Sequence, residues 1–200
     1  MKQLILKMSM TLDGLVGGPN GEADWMTRSP EGVAWIASSV AKAGVHIMGA
    51  TSYRAMATFY PTSTLPFAAP MNAIPKVVFS KKGVDAELVA AIEAKSQGAN
   101  AEVVRSWTHP RVASGDLVEE ITRLRAEAGG DIYAHAGASF ARSLIAHDLV
   151  DEYQLMVHPV ILGRGMPIFS EREGRLGLEL VEVTTFPQGV ASHVYRRTRS

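Results

Sequence analysis

The sequence predicts an α/β protein in which a mixed sheet of about eight strands carries helices on both faces. Strand-like and helix-like patterns alternate along the chain, and this alternation favours a largely parallel sheet covered by helices. The last two predicted strands are joined by the short connection Phe186-Pro187-Gln188-Gly189, which indicates an antiparallel hairpin. Because 200 residues suit one domain, we expect residues 1–200 to form a single domain.

Apolar runs bounded by turn residues define the strands. The first run, Leu4-Ile5-Leu6, is interrupted by Lys7, so it predicts a strand rather than a secretory signal. We expect strands at 3–9, 45–48, 76–80, 102–106, 131–135, 152–162, 178–185 and 190–196. Sheets of this kind bind ligands beyond the carboxyl ends of their strands, so the loops that follow the strands are where chemistry is expected.

Capping residues mark where the helices begin. Ser29-Pro30-Glu31 supplies an N-cap hydroxyl, a proline at the first helical position and an acid near the positive helix end, and it predicts a helix to about Lys42. Asp85 caps a second helix, whose apolar face is Leu88, Val89 and Ile92. A third helix ends before Gly129-Gly130 and has the apolar face Leu117, Val118, Ile121 and Leu124. A fourth helix follows Gly137-Ala138-Ser139, and a shorter one follows Gly49.

The composition excludes several classes of protein. Apolar residues make up 46% of the chain, and twenty basic residues balance twenty acidic ones, so neither nucleic acid nor an anionic membrane is expected to bind by charge. There is no cysteine, and the histidines lack metal-ligand spacing, so no metal site is predicted. No stretch approaches the roughly 20 apolar residues of a membrane span. We expect a cytoplasmic protein with a small-molecule partner.

Three strand-to-helix junctions carry small or hydroxylated residues. They are Gly49 to Tyr53, Ala136 to Phe140, and Ser80-Lys81-Lys82. Backbone N–H groups at a helix N-terminus hold phosphate oxygens well when no bulky side chain intervenes. Two such helix starts beside Ser-Lys-Lys predict a site that binds the two ends of a dinucleotide. Lys81 or Lys82 would bind an additional phosphate on the ribose. Tight connections and solvated lysines are the alternative interpretation.

The loop after the first strand, Thr11 to Gly21, has four glycines at positions 14, 17, 18 and 21. A loop of this composition is expected either to move or to lie close to another segment. Asp13 stands where the strand ends, so its carboxylate is a candidate for handling a proton or a substrate hydroxyl. The alternative is an aspartate that hydrogen-bonds its own turn.

Glu31 is a second candidate carboxylate, on the first turn of the helix that follows this loop. As a partner of the helix dipole it needs no further role. Trp25, Trp35 and Met26 are candidates for the wall of a ring-binding pocket, and core positions are the alternative for the two aromatic residues. Arg164, in the Gly163-Arg164-Gly165 turn, is either an anion ligand or a residue that packs across the turn.

Several segments, in order, resemble a known family. They are Ser9-Met10-Thr11-Leu12-Asp13-Gly14, Trp25 to Glu31, Gly137-Ala138-Ser139-Phe140-Ala141-Arg142-Ser143-Leu144-Ile145, Leu149-Val150-Asp151-Glu152-Tyr153, and His158 to Phe169. Together they are similar to the C-terminal reductase domain of the bifunctional riboflavin-biosynthesis enzyme and its stand-alone relatives, which share the dihydrofolate reductase fold. The resemblance covers nearly the whole chain.

The resemblance implies a reductase that takes hydride from NADPH, with a flexible loop after the first strand closing over the nicotinamide. The implied substrate is a small heterocycle like that of 5-amino-6-(5-phosphoribosylamino)uracil reductase. Dihydrofolate or another pteridine is the alternative substrate. A non-catalytic nucleotide-binding module of the same fold is the alternative class. Relatives often pair, so the C-terminal hairpin and the strand before Gly163 are candidate surfaces for a homodimer.

The resemblance also carries over individual residues. Those matching cofactor-binding positions are Gly49, Thr51, Ser52, Ser80, Gly137, Ala138, Ser139 and Phe140. Asp13 matches the aspartate of the family's Leu-Asp-Gly motif, and Glu31 falls near the proton-handling carboxylate of dihydrofolate reductases.

Two positions depart from the family's pattern. Ala50 stands where a basic residue commonly follows the glycine, so a preference for NADPH over NADH requires Arg54, Lys81 or Lys82 instead. Ala136-Gly137-Ala138 replaces a turn that often reads Gly-Gly. NADH is therefore not excluded as the cofactor.

Overall fold

The computed structural model describes residues 2–127, 129–169 and 174–198. Its eight strands form one sheet in the order β4-β3-β2-β5-β1-β6-β8-β7. The strands are β1 Leu4–Thr11, β2 Val45–Gly49, β3 Lys76–Phe79, β4 Arg111–Ala113, β5 Ile132–His135, β6 Glu152–His158, β7 Leu178–Thr185 and β8 Ala191–Arg197. All neighbouring pairs are parallel except β6 with β8 and β7 with β8. The mixed sheet with its C-terminal hairpin is therefore confirmed.

Seven α-helices connect these strands within the described residues. They are α1 Pro30–Val40, α2 Ala50–Ala57, α3 Ala68–Ala73, α4 Ala86–Lys95, α5 Ala101–Thr108, α6 Leu117–Ala126 and α7 Ala138–Ala146. The predicted caps are in place, since the side chains of Ser29 and Asp85 accept backbone N–H groups of α1 and α4.

The strand predicted at 102–106 is wrong, because these residues lie in α5. The side chain of Asn100 accepts the backbone N–H groups of Glu102 and Val103, which starts a helix before the two valines. The helix is amphipathic, and its Trp107 is fully buried. The fourth strand is the three-residue β4 instead, which pairs with β3 in parallel. The strand predicted at 152–162 ends at His158, because Pro159 has no N–H to donate.

Helices cover both faces of the sheet, as the alternating sequence pattern predicts. On one face, Leu4 and Leu6 of β1 pack with residues of α6 and α7 such as Leu124 and Leu144. On the other face, Met48 and Val78 pack with residues of α1 to α5. Val118 of α6 differs from the predicted apolar face, because its side chain is exposed.

The parallel strands direct their carboxyl ends to one edge of the sheet. The loops after β1, β2, β3, β5 and β6 therefore gather along that edge, while the β7–β8 hairpin extends the sheet beyond β6. Among the described residues, none of the helices has the length and apolar content needed to cross a membrane.

Candidate active site

The starts of α2 and α7 lie side by side, because they follow the adjacent parallel strands β2 and β5. A Cβ atom at Gly137 would lie 3.0 Å from Oγ of Ser52, in the first turn of α2. A Cβ at Gly49 would lie 3.1 Å from Cβ of Phe140, in the first turn of α7. Each helix start thus packs directly against the glycine of the other, and a larger residue at either glycine would push them apart.

These two helix starts also differ from the others in their capping. Among the described helices of at least eight residues, α1, α4, α5 and α6 begin with a side chain that accepts backbone N–H groups. The N-cap residues of α2 and α7 are Gly49 and Gly137, which provide no side-chain hydrogen bond. The first N–H groups of a helix have no partner within it. In α2 and α7 they are left for solvent or a ligand.

A groove beside the start of α2 continues along the end of β3. Its lining includes Ala50, Thr51, Arg54, Ser80, Lys81 and Lys82. A second recess shares Phe79, Ser80 and Lys81 with this groove and adds Phe140, whose ring centroid lies 5.0 Å from that of Phe79. The Oγ of Ser80 donates to the Gly83 carbonyl at 3.1 Å, so this side chain holds its own turn.

The three cations near this groove are not equivalent. A 2.7 Å ion pair joins Arg54 to Asp85, whose pKa is lowered first by the hydrogen bond from the Leu88 backbone and then by Arg54. Lys81 and Lys82 are exposed, and neither forms an ion pair with another described residue. The two lysines are therefore the cations available to an additional phosphate.

The carboxylate of Asp13 joins its own turn to a distant loop. One oxygen accepts from the Thr11 hydroxyl at 2.5 Å, as the alternative interpretation of this aspartate expects. The other accepts from the Gly163 backbone N–H at 2.8 Å. The Thr11 bond and then the Gly163 bond lower the pKa of Asp13, so the side chain is charged at neutral pH. It is exposed rather than shielded from water.

Backbone hydrogen bonds extend this connection along both loops. Three of them join Val16 N to Met166 O at 2.8 Å, Met166 N to Gly17 O at 2.8 Å, and Ile168 N to Gly14 O at 3.0 Å. A side chain at Gly165 would overlap the Gly17 carbonyl. The glycine-rich loop is therefore held against residues 160–168, which is the second of the two possibilities that its composition allows.

A narrow cleft lies between α1 and the sheet, next to these loops. It is lined by Ser9, Met26, Thr27, Arg28, Ser29, Gly32, Val33, Ile36, Met156, His158, Phe186 and Val190. The space open to a water-sized sphere is about 30 Å³. Of this lining, sequence reasoning singled out only Met26 as a pocket wall, because the other residues come from separate stretches of the chain. Glu31 is exposed and is not among the lining residues.

His158, the last residue of β6, lies at the inner wall of this cleft. It is 3% exposed, its Nδ1 accepts the Thr27 backbone N–H at 3.3 Å, and its ring meets Trp25 edge-on at 5.3 Å. Its Nε2 is buried without a hydrogen-bond partner in the described structure. Burial and then the charge of Arg28 lower the pKa of His158, so the ring is neutral at pH 7.

Polar side chains also lie deeper on the same face of the sheet. Nε2 of His135 is 3.0 Å from Nδ1 of His46, and both rings are buried. Burial, followed by the charge of Lys76, lowers the pKa of His46 to about 4. Burial also lowers the pKa of Lys76 to about 8. These groups do not line the cleft. Because they are buried, their protonation is expected to affect the stability of the fold.

Comparison with known proteins gives the chain its family. The family model described as the RibD C-terminal domain matches residues 2–192. An uncharacterized protein of Bacillus subtilis, YyaP, is 27% identical over 195 residues, which are 97% of this chain and 94% of that protein.

Two solved structures share the fold. One is a diaminohydroxyphosphoribosylaminopyrimidine deaminase/5-amino-6-(5-phosphoribosylamino)uracil reductase from Thermotoga maritima, with a TM-score of 0.69 and 18% identity, over 98% of this chain and 57% of that one. The other is dihydrofolate reductase from Enterococcus faecalis complexed with NADP(H) and RAB-propyl, with a TM-score of 0.62 and 14% identity, over 98% and 97% of the two chains. The predicted dihydrofolate reductase-like fold is therefore confirmed. The match of 191 positions, from 2 to 192, establishes that this chain belongs to the RibD C-terminal domain family.

Proposed function

We propose that this protein is an NADPH-dependent reductase of a small heterocyclic substrate, resembling 5-amino-6-(5-phosphoribosylamino)uracil reductase. The observation that carries the proposal is the pair of adjacent helix starts without side-chain caps, at Gly49 and Gly137. Unpaired N–H groups together with the helix dipole favour phosphate oxygens at such a position. Family membership and the named activity of the Thermotoga maritima enzyme support the choice of a reductase.

The residues at the sheet edge fit a dinucleotide. Gly49, Thr51 and Ser52 begin α2 and suit one phosphate end, while Gly137, Ala138, Ser139 and Phe140 begin α7 and suit the diphosphate. The groove with Ser80 and Lys81 extends from the first of these starts. A nicotinamide cofactor bound there would supply the hydride. The chain itself would orient the two reactants and exclude water.

Lys81 and Lys82 support the preference for NADPH over NADH. Ala50 provides no charge, and Arg54 is paired with Asp85. The two exposed lysines remain to meet an additional phosphate on the ribose. NADH is the second cofactor to test.

As the carboxylates that assist the reaction we propose Asp13 first and Glu31 second. Asp13 would act with its carboxylate charged, by holding the loop after β1 against residues 160–168 at the edge where hydride transfer would take place. Glu31 is exposed on the first turn of α1, where a proton route through solvent is open to it. Comparing the pH profiles of Glu31→Gln and Asp13→Asn separates the two roles.

We also propose that the protein acts in the cytoplasm, where nicotinamide nucleotides serve as cofactors.

We further propose that two copies of the chain form a homodimer through β7. β7 is an outer strand of the sheet, and Leu180, Val181 and Val183 are 51%, 43% and 47% exposed. An apolar edge strand of this kind invites pairing with another strand. Light scattering should give twice the chain mass for the wild type and a lower mass for Val181→Glu. A wild-type monomer at micromolar concentration would contradict the pairing.

The cofactor proposal is tested by titrating NADPH and NADH into the protein and following nicotinamide fluorescence. We expect saturable binding, tighter for NADPH. No saturable signal with either nucleotide at millimolar concentration would overturn the proposal. Nucleotide binding without oxidation of NADPH by any heterocycle would instead identify a non-catalytic module of the same fold.

A further inference from the structure

The cleft beneath α1 contains hydrogen-bond donors but no carboxylate. Of its twelve described lining residues, the polar ones are Ser9, Thr27, Arg28, Ser29 and His158, and the rest are apolar or glycine. A hydroxyl can donate or accept, whereas a guanidinium only donates. This set favours a ligand that brings strong acceptors such as carbonyl oxygens.

Neither of the two candidate carboxylates lines the cleft. Both carboxylate oxygens of Asp13 already accept hydrogen bonds, one from the Thr11 hydroxyl and the other from the Gly163 backbone N–H. Glu31 is exposed on α1 and does not line the cleft. The exocyclic amino groups of a diamino ring are accepted most strongly by a carboxylate, and none lies among the described residues of the cleft.

The tautomer of His158 follows from its hydrogen bond. A backbone N–H can only donate, so the bond from Thr27 N requires Nδ1 to be an acceptor. A neutral imidazole then carries its proton on Nε2. This N–H is buried and lacks a partner in the described structure, and a buried unpaired donor is costly. Trp25 packs edge-on against the ring, which restricts its reorientation.

The cleft is too narrow for a ring as it stands, but its walls can adapt. Met26 and Met156 form part of the lining, and methionine side chains change conformation easily. A flat ring that displaces them would lie against His158 at the inner wall. Its acceptor atom would complete the missing hydrogen bond.

We propose that His158 determines substrate specificity, by donating a hydrogen bond from Nε2 to a carbonyl oxygen of a planar heterocycle. The cleft then selects dioxo rings and rejects diamino rings of the same shape. This inference rests on the proposed function only in taking the cleft as the substrate site. It distinguishes the two substrate classes, because it favours a pyrimidinedione-like ring over a diaminopyrimidine-like ring.

The test compares two probes with one skeleton, 2,4-dioxopteridine and 2,4-diaminopteridine. Their dissociation constants are measured by calorimetry on the full chain, with and without saturating NADPH. We expect the dioxo ring to bind at least about tenfold more tightly, the factor of one hydrogen bond of ordinary strength. Equal binding, tighter binding of the diamino ring, or no binding of either ring at millimolar concentration would overturn the inference.

Variants assign the preference to His158. His158→Phe keeps a flat ring but removes the donor, so the preference should fall to about twofold or less. His158→Gln retains an N–H donor and should restore part of it. His147→Phe makes the same change at an exposed histidine at the end of α7 and should leave the preference unchanged. A preference that survives in folded His158→Phe would contradict the role of this residue.

The two proposals fail in different ways. If NADPH does not bind but the dioxo preference stands and depends on His158, the cofactor proposal is wrong and the specificity inference holds. If NADPH binds but the diamino ring is preferred, the reverse is true. Should His158→Phe fail to fold, the wild-type ratio and the His158→Gln ratio still decide the inference.

Discussion

The Gly163 backbone N–H donates a 2.8 Å hydrogen bond to Oδ2 of Asp13, 150 positions earlier in the sequence. Together with backbone hydrogen bonds such as Val16 N to Met166 O, this contact joins the loop after β1 to the segment after β6, at the sheet edge where the cofactor is proposed to bind. Because the second oxygen of Asp13 holds its own turn through Thr11, the carboxylate contributes both to the shape of one loop and to its attachment to the other.

Asp13→Asn should slow turnover far more than it weakens cofactor binding. The amide keeps one acceptor oxygen but loses the charge, so the loops remain folded while their registration loosens. We expect at least about a tenfold loss of kcat and a dissociation constant for NADPH within about threefold of wild type. Asp116→Asn, at the N-cap of α6, is the matched control because asparagine caps equally well. Equal turnover in Asp13→Asn would remove this residue from the mechanism.

Gly137→Val should weaken NADPH binding by at least about tenfold. The new Cβ would crowd Oγ of Ser52, and its methyl groups would cover the N–H groups at the start of α7. Fluorescence titration gives the dissociation constant, and circular dichroism checks that the variant is folded. Ala94→Val adds similar bulk at an exposed position of α4 and should bind NADPH normally. Unchanged affinity in Gly137→Val would mean that the diphosphate lies elsewhere.

Lys81→Ala should reduce the preference for NADPH over NADH. An exposed lysine that meets a phosphate contributes on the order of 1 kcal/mol, so we expect about a fivefold rise in the dissociation constant for NADPH and little change for NADH. Lys95→Ala removes a charge from the last turn of α4 and should affect neither nucleotide. If Lys81→Ala weakens both nucleotides equally, the lysine does not read the additional phosphate.

Acid should destabilise the protein between pH 6.5 and pH 4. The folded-state pKa of His46 is about 4, whereas the unfolded chain protonates this ring near 6.5. Across this window the unfolded state binds more protons, so the free energy of unfolding falls as the pH is lowered, by up to about 3 kcal/mol from this residue. His135, whose pKa is also lowered by burial, adds to the effect.

The measurement is urea unfolding at pH 7 and at pH 4.5. His46→Gln keeps a hydrogen-bonding group toward His135 but cannot be protonated, so its loss of stability over this range should be smaller than that of wild type. His109→Gln, at an exposed histidine after α5, should retain the wild-type dependence. An identical dependence in His46→Gln would show that the buried histidine pair does not control acid stability.

Much of the fold could be predicted because its signals are local. Ser29 and Asp85 start helices through hydrogen bonds that lie within three residues, and the Phe186 to Gly189 connection reads directly as a turn. The error at 102–106 arose where two adjacent valines suggest a strand while the cap at Asn100 lies outside the apolar run. Burial of Trp107 against α2 and α3, which decides the matter, is a tertiary effect.

The candidate site was only partly predictable for the same reason. Glycines before two helices are visible in the sequence, and the parallel order of β2 and β5 brings them together. The bond between Asp13 and Gly163 and the partners of His158 join residues more than 130 positions apart. No spacing along the chain encodes such contacts, so their discovery requires the folded structure.

Gly165 lies so close to the Gly17 carbonyl that substitutions in these two distant stretches of sequence are coupled. A bulkier residue in one turn requires a rearrangement of the other, so a substitution in one is expected to need a compensating substitution in the other. Efforts to redirect this protein toward new substrates by remodelling its loops should therefore redesign residues 14–17 and 163–168 as one unit.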